Sequence, residues 1–161
     1  MTPRPFLLLA AVVLILVAPA CSSDGDPKAV ELGDEAVGWC LDISPQQDAE
    51  VTELPRVDCE EPHTHEVFAV FESDAETYPG FDALETEAQV GCLDRFEAYV
   101  GISPFDSTLF YSWMVPTLAS WGDQTIENSG DEPGDREVIC IVGLQGDAQI
   151  DGGDRLRDSN R

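Results

Sequence analysis

The stretch HEVFAVF at residues 65–71 decides the fold of this chain, because it is the clearest strand in the sequence. Apolar side chains cover both faces of such a strand: Val67, Ala69 and Phe71 lie on one face, and Phe68 and Val70 on the other. A strand that is apolar on both faces belongs in the interior of a sheet. We therefore expect a central strand over residues 65–71 rather than an edge strand.

The next regular segment, residues 82–100, has the periodicity of an amphipathic helix. Its buried stripe is predicted to consist of residues that recur at every fourth position: Leu84, Ala88, Cys92, Phe96 and Val100. Asp82, with Glu85 three residues later, has the spacing of a capping box, so we predict Asp82 as the N-cap. Gly101 follows the last periodic residue and is predicted to end the helix.

Further strands are predicted at residues 37–43, 54–59, 109–115 and 137–144. The last two segments are rich in aromatic and β-branched residues, which favour a pleated and partly buried surface. Together with the central strand and the helix, they predict an α+β fold. In this fold one long helix packs on an antiparallel sheet of about four to five strands, and two disulfides staple the structure.

The disulfides are predicted from the even set Cys40, Cys59, Cys92 and Cys140, given a signal for export to an oxidising compartment. Four cysteines allow three connectivities. We favour Cys40–Cys59, which closes a short loop between two predicted strands. We pair Cys92 with Cys140, because this bond would staple the helix to the last strand.

The fifth cysteine, Cys21, belongs to the amino-terminal signal. Residues 6–17 are an uninterrupted apolar run that is too short for a comfortable transmembrane helix, and Ala18-Pro19-Ala20 places small residues immediately before Cys21. We predict a lipoprotein signal peptide at residues 1–20, lipidation of Cys21, and a flexible tether at residues 21–34. Secretion with a free thiol and an uncleaved membrane anchor are the alternatives.

The remaining chain is predicted to divide into a folded domain at residues 35–145 and a disordered acidic tail at residues 146–161. The tail consists mainly of Gly, Asp and Arg and has few apolar residues that could be buried. Its aspartates lack the ligand spacing of an EF-hand loop, so we expect a solvated segment rather than a calcium site.

The composition is strongly acidic, with 32 Asp and Glu residues against 8 Lys and Arg, and a formal net charge of −24. This balance excludes nucleic acid as a partner, because binding to phosphates needs a basic face. The sequence contains no serine-hydrolase elbow, P-loop, dinucleotide fingerprint, His-Glu-x-x-His or Cys-x-x-Cys motif. We therefore predict a protein that is not an enzyme and that uses no cofactor or metal.

The candidate site is the run PHTHE, which begins at Pro62. His63 and His65 alternate along the start of a strand, so we expect them to share one face, with Glu66 pointing away. Two histidines could hold a metal together with Cys59, although the chain lacks the closely spaced cysteine pair of zinc fingers. The run could instead be a recognition surface. We favour a structural role, in which His63 bonds the loop backbone at a tight entry into the strand.

Trp121 is the other candidate recognition residue, because it precedes the polar, acidic stretch at residues 122–133. We expect this indole to be more exposed than Trp39 and Trp113, which are predicted to be core residues. An exposed indole in this place could stack on a sugar or a peptide.

The segment from Cys59 to Val67 resembles the actinobacterial septum-formation domain family, which shows a cysteine leading into Pro-His-x-x-Glu-Val. Gly38-Trp39-Cys40 matches the earlier Gly-x-Cys of that family. The resemblance continues through later short matches: Tyr78-Pro79-Gly80, Cys92, Phe96, Tyr99-Val100-Gly101, Pro116-Thr117, Ser120-Trp121, Gly134-Asp135-Arg136, Val138 and Cys140. It covers about residues 37–144, and residues 122–133 are an insertion relative to the family pattern.

The resemblance implies an exported or membrane-anchored protein with a role in septum formation, and it implies no catalytic residues. We therefore expect a lipid-anchored interaction module on the outer face of the cell membrane. Its expected partner is an envelope or division protein with a basic surface. The alternative is a ligand-binding or hydrolytic envelope domain that uses residues 63–66.

Overall fold

A computed structural model describes residues 32–43, 54–121, 134–146 and 148–161. Within these ranges, no helix is both long enough and apolar enough to cross a membrane. The chain begins with a 3₁₀ turn and continues through five strands and one helix: Asp34–Ala36, β1 (Cys40–Leu41), β2 (Arg56–Val57), β3 (His65–Glu72), α1 (Phe81–Val100), β4 (Phe110–Met114) and β5 (Glu137–Gly143).

The five strands form one antiparallel sheet in the order β2-β1-β3-β5-β4. The strand β3 lies in the middle of this order, so the prediction of a central strand from the HEVFAVF stretch is confirmed. The helix α1 packs on β3, β4 and β5, which confirms the predicted α+β fold. The strands β1 and β2 are two residues each, shorter than the segments predicted at residues 37–43 and 54–59.

A β-bulge in β3 changes which side chains share a face. Val67 pairs with Ile141, but Ala69 pairs with the preceding residue of β5, Cys140, so Phe68 is an extra residue in the ladder. Phe68 and Ala69 consequently both join the core beneath α1. The predicted grouping of Ala69 with Val67 is therefore wrong, because strict alternation holds only where no bulge interrupts it.

The sheet is covered on both faces. The larger core lies between α1 and the sheet and contains the aromatic cluster Phe68, Phe96, Tyr99 and Tyr111. The second core is formed by the amino-terminal segment against the opposite face and contains Leu32, Ala36, Leu41, Val67, Val70 and Ile141.

The helix α1 has the predicted buried stripe, and its carboxyl end is as expected. Gly101 adopts a left-handed conformation with φ of 89°, and its N–H bonds to Glu97 O. The predicted capping box is wrong, because the helix begins at Phe81 and the N-cap is Gly80, which makes no side-chain cap. Glu85 instead accepts a hydrogen bond of 3.1 Å from the indole N–H of Trp113 on β4.

Both predicted disulfides are present. Cys92 and Cys140 join α1 to β5 with their Cα atoms 5.6 Å apart, and Cys40 and Cys59 join β1 to the loop after β2 with their Cα atoms 5.3 Å apart. Cys92 lies on the buried stripe of the helix, so the bond crosses the larger core. The sheet and the helix are therefore linked covalently as well as by packing.

The packed part of the chain begins before residue 35, the predicted start of the domain. Leu32 is buried, and its N–H donates to the Glu137 side chain at 2.5 Å, while the N–H of Gly33 donates to the other oxygen of the same carboxylate at 2.6 Å. Glu137 is the first residue of β5. The signal peptide, Cys21 and most of the tether lie outside the described residues, as does the insertion at 122–133.

The prediction of a disordered tail at residues 146–161 is wrong for residues 148–161. Ile150 and Leu156 are buried in the larger core, and Ile150 forms an isolated β-bridge with His63. Backbone N–H groups of the same segment donate to the carbonyls of Cys59 and Tyr99. Two apolar side chains and a set of backbone bonds are enough to order this otherwise polar segment, which we call the carboxy-terminal segment.

The packing of the carboxy-terminal segment is tested by Leu156→Ala. Leu156 is fully buried, so its truncation is expected to lower the free energy of unfolding by about 2 to 3 kcal/mol. Denaturant unfolding of this variant should be compared with that of Leu118→Ala, which truncates an exposed leucine. Equal stability of the Leu156 variant and the wild type would show that the segment does not pack as described.

Candidate functional site

The candidate site is built around Glu66, near the start of β3. Glu66 pairs with Cys40 on β1 and with Val142 on β5, so its backbone is held from both sides. Its side chain is fully buried on the face of the sheet that carries α1. An ionised carboxylate in such a place is stable only if donors replace the water that it loses.

Glu66 receives hydrogen bonds from two distant parts of the chain. One carboxylate oxygen, Oε1, accepts from the N–H of Leu156 at 2.8 Å and from Nε of Arg155 at 3.1 Å. The other, Oε2, accepts from the hydroxyl of Tyr99 at 2.5 Å. Glu66 therefore connects the central strand to α1 and to the carboxy-terminal segment.

These contacts change the acidity of the groups around the carboxylate. Burial, reinforced by the hydrogen bond to Glu66 and by its negative charge, raises the pKa of Tyr99 to about 12. Burial acts to lower the pKa of Arg155, but the contacts with Glu66 and, to a smaller extent, with Tyr99 together outweigh it and raise that pKa above its ordinary value. Tyr99 thus stays a neutral donor and Arg155 a cation throughout the physiological range.

The raised pKa of Tyr99 predicts a loss of stability in alkali. Because the folded state keeps the phenol neutral up to about pH 12 while the unfolded chain ionises near pH 10, the stabilisation is complete below pH 10 and declines as the pH rises to 12. The shift corresponds to about 2 to 3 kcal/mol. Unfolding measured from pH 9 to pH 12 should show this decline in the wild type.

Tyr99→Phe should lose most of this Tyr99-dependent decline, whereas Tyr78→Phe, which removes a hydroxyl outside the cluster, should keep it. The difference between the variants isolates Tyr99 from the other groups that titrate in alkali. A Tyr99→Phe profile parallel to that of the wild type would contradict the prediction.

His63 lies beside Glu66 and is also fully buried. Its backbone exchanges two hydrogen bonds with Ile150, of 3.1 and 2.7 Å. The ring atom Nδ1 lies 3.0 Å from Glu61 O, and because a carbonyl can only accept, Nδ1 carries a proton. The other ring nitrogen, Nε2, lies 3.7 Å from Oε1 of Glu66.

This geometry corrects the predicted placement of the two histidines. His63 and Glu66 are neighbours, while the His65 ring lies against the hydroxyl of Thr64, with Nδ1 at 2.9 Å from it. The alternation of side chains along a strand did not predict this arrangement, because His63 lies outside the strand. The strand β3 begins at His65, and His63 forms an isolated bridge before a bend at Thr64.

The potential ligand atoms of Cys40, His63 and Glu66 lie within 4.8 Å of one another. Cys40 is bonded to Cys59, however, so its sulfur has no thiolate to offer a metal. The ligand set considered from the sequence, Cys59 with His63 and His65, is not brought together among the residues described. The arrangement is suited to holding chain segments rather than an ion.

Trp121 is buried, so the expectation of an exposed indole is wrong. Its ring meets that of Tyr78 edge-on at 5.7 Å, and the guanidinium of Arg136 lies 5.3 Å from its centre. Of the four candidate recognition residues, Pro62 alone is exposed, whereas His63, Glu66 and Trp121 are covered. The buried three can influence a partner only by shaping the surface above them.

The sequence did not indicate three members of this cluster, namely Tyr99 as a hydrogen-bond donor, Arg155 and Leu156. Arg155 and Leu156 are 89 and 90 residues from Glu66 along the chain. The signal that could have revealed them is the pair of isolated apolar residues, Ile150 and Leu156, in an otherwise polar stretch.

The fold and the site define a small domain in which two disulfides and a buried carboxylate cluster hold one helix and a short terminal segment against a five-stranded sheet. A family model described as septum formation matches residues 31–140. The chain belongs to this septum-formation family. Searches of curated proteins and of solved structures gave no match. Arg155 and Leu156 lie beyond the residues that the family model matches.

Proposed function

We propose that this chain is a lipid-anchored, extracytoplasmic interaction module of the bacterial cell envelope, connected with septum formation and cell division. The observation that carries the proposal is the family match over residues 31–140. The sequence supports anchoring, because Cys21 directly follows an apolar run and the small residues Ala18-Pro19-Ala20. A diacylated cysteine supplies two acyl chains, enough for stable attachment to the outer face of the membrane.

Interaction rather than catalysis is supported by the burial of the polar cluster. A catalytic carboxylate or imidazole must reach a substrate, whereas His63 and Glu66 are fully buried and Glu66 accepts three hydrogen bonds from the chain itself. The alternative function, a ligand-binding or hydrolytic domain that uses residues 63–66, would require the carboxy-terminal segment to leave this place.

The partner is proposed to be an envelope or division protein with a basic surface. The net charge of −24 favours such a partner and repels a second copy of the chain. The exposed side of α1 contributes Asp82, Asp94 and Glu97 to this acidic surface. Association through these groups is expected to weaken as salt screens the charges.

Anchoring is tested by growing the source bacterium with labelled palmitate and isolating the chain. The wild type should carry label and sediment with membranes, and Cys21→Ser should lose both properties. Ser22→Ala, which changes the neighbouring residue, should behave as the wild type. Label retained by the Cys21 variant, or an unlabelled wild type, would refute lipidation.

The role in division is tested by deleting the gene and observing septa. We expect misplaced or missing septa, restored by the wild type but not by Cys21→Ser or by Asp94→Lys with Glu97→Lys. Normal septa in the deletion strain would refute the proposal. His63→Ala distinguishes the alternative function from a structural role. If this variant fails to complement although its thermal unfolding and both disulfides are unchanged, a direct role for residues 63–66 is favoured.

A further inference from the structure

A groove runs between the amino-terminal turn, α1 and the carboxy-terminal segment. It consists of two adjoining cavities, each of about 410 Å³, that share Val37, Arg157 and Asp158 as lining residues. One cavity extends towards Gly38 and Arg155, and the other extends along α1 towards Tyr99 and Arg95. The groove lies beside the Glu66 cluster but is open to solvent.

Two guanidinium groups converge in this groove over Gly38. A Cβ atom placed on Gly38 would lie 3.4 Å from Nη2 of Arg155 and 3.6 Å from Nη2 of Arg157, so these two nitrogens are within about 7 Å of each other. Gly38 also has φ of 94°, which a residue with a side chain rarely adopts. The backbone is therefore shaped to let two cations approach the same point.

The two guanidinium groups differ in their partners. Arg155 bonds to the buried carboxylate of Glu66, and its Nη2 donates to Gly38 O at 2.7 Å. Arg157 stacks on the Tyr99 ring, with its guanidinium carbon 4.8 Å from the ring centre. Among the described residues, no carboxylate lies within 4.0 Å of the Arg157 guanidinium. With respect to the described part of the chain, its donors are thus open to an anion.

Negative groups line the groove as well. Asp158 borders both cavities, and Asp34 borders the one along α1. A purely anionic ligand would be attracted by Arg157 but repelled by these carboxylates, whereas a ligand with charges of both signs matches both. The apolar wall formed by Val37, Phe68 and Ala98 adds room for small hydrocarbon side chains.

We propose that this groove binds the free ends of a short peptide or amino acid, with a carboxylate on Arg157 and an ammonium group on Asp158. A guanidinium offers a planar pair of donors that fits a carboxylate. Asp158 supplies acceptors for the ammonium and is exposed. This inference assigns a small-molecule site and is independent of the basic protein partner proposed above.

The test uses the full chain in detergent and the dipeptide alanyl-alanine as the probe, followed by amide chemical shifts in NMR. Saturable shifts at Gly38 and Arg157, with a dissociation constant in the millimolar range, are expected. The N-acetylated and the C-amidated forms of the same dipeptide should each bind about tenfold more weakly, because each loses one charge-assisted hydrogen bond. Sodium acetate alone should not saturate the site.

Variants assign the two charges. Arg157→Gln and Asp158→Asn are each expected to weaken binding about tenfold, and asparagine tolerates the left-handed conformation of residue 158, where φ is 54°. Arg161→Gln is the matched control, because it removes the same charge from the same segment outside the groove, and it should bind as the wild type. The proposal would be overturned if the chemical shifts do not saturate with dipeptide, or if the blocked dipeptides bind as tightly as the free one. It would also be overturned if Arg157→Gln and Arg161→Gln weaken binding equally.

Discussion

Replacing Glu66 by alanine is expected to lower the free energy of unfolding by about 3 to 4 kcal/mol. The change removes a buried acceptor and leaves two buried donors, the O–H of Tyr99 and the N–H of Leu156, without the carboxylate that accepts from them. Each buried donor that loses its partner costs about 1 to 3 kcal/mol. Arg155 adds little to this loss, because its side chain is 39% exposed and can turn to water.

Denaturant unfolding measures this effect, and Glu97→Ala is the control. Glu97 is exposed on α1, and within the described ranges its backbone carbonyl accepts from Gly101 while its side chain makes no hydrogen bond. The Glu97 variant should therefore lie within about 0.5 kcal/mol of the wild type. If Glu66→Ala does not fold, Glu66→Gln is measured instead. The amide keeps the shape of the side chain and one acceptor, so the free energy of unfolding should fall by roughly half as much. Wild-type stability in both Glu66 variants would contradict the cluster described above.

The second large effect is expected for the disulfide that joins α1 to β5. Replacing both Cys92 and Cys140 by alanine opens a loop with a sequence separation of 48 residues. The chain-entropy relation then gives a loss of about 4 kcal/mol. Both sulfurs are buried in the larger core, so their removal also leaves small voids that add to the loss.

The pair Cys40 and Cys59 provides an internal comparison, since it spans only 19 residues. Its replacement by alanines is expected to cost about 3 kcal/mol, less than the longer loop. Both double variants should be measured beside the oxidised wild type, with thiol titration to verify that no free thiol is present in the folded domain. A variant lacking Cys92 and Cys140 that unfolds at the wild-type denaturant concentration would contradict the expected contribution.

The sequence was sufficient for the elements whose periodicity is local. Alternation identified β3, and four-residue spacing identified the buried stripe of α1, because both patterns follow from the geometry of a single segment. The Cys92–Cys140 disulfide agreed with the same pattern, since Cys92 occupies that stripe, whereas Cys40–Cys59 was predicted from the short loop between two predicted strands. The bulge at Phe68 was not accessible in this way, because it depends on the register between β3 and β5 rather than on the residues of β3 alone.

The candidate site was predicted in part. The segment containing His63 and Glu66 was singled out, but the three hydrogen-bond donors to Glu66 were not, because burial of a carboxylate depends on chain segments that are distant in sequence. Composition indicated a solvated carboxyl terminus, whereas Ile150 and Leu156 are enough to bring it onto the core. Trp121 was misplaced for a related reason, since Tyr78 and Arg136 cover it from elsewhere in the chain.

The hydrogen bonds between Glu137 and the amino-terminal segment affect how the domain responds to mechanical force. The two hydrogen bonds from Leu32 and Gly33 to this carboxylate tie the first described residues of the chain directly to the sheet. Glu137 begins β5, which is paired with β3 on one side and β4 on the other. If the chain is held at its amino-terminal end, as we propose, a pull on that end would act on a strand paired on both sides rather than on an edge strand, and we expect the domain to resist unfolding under such a load.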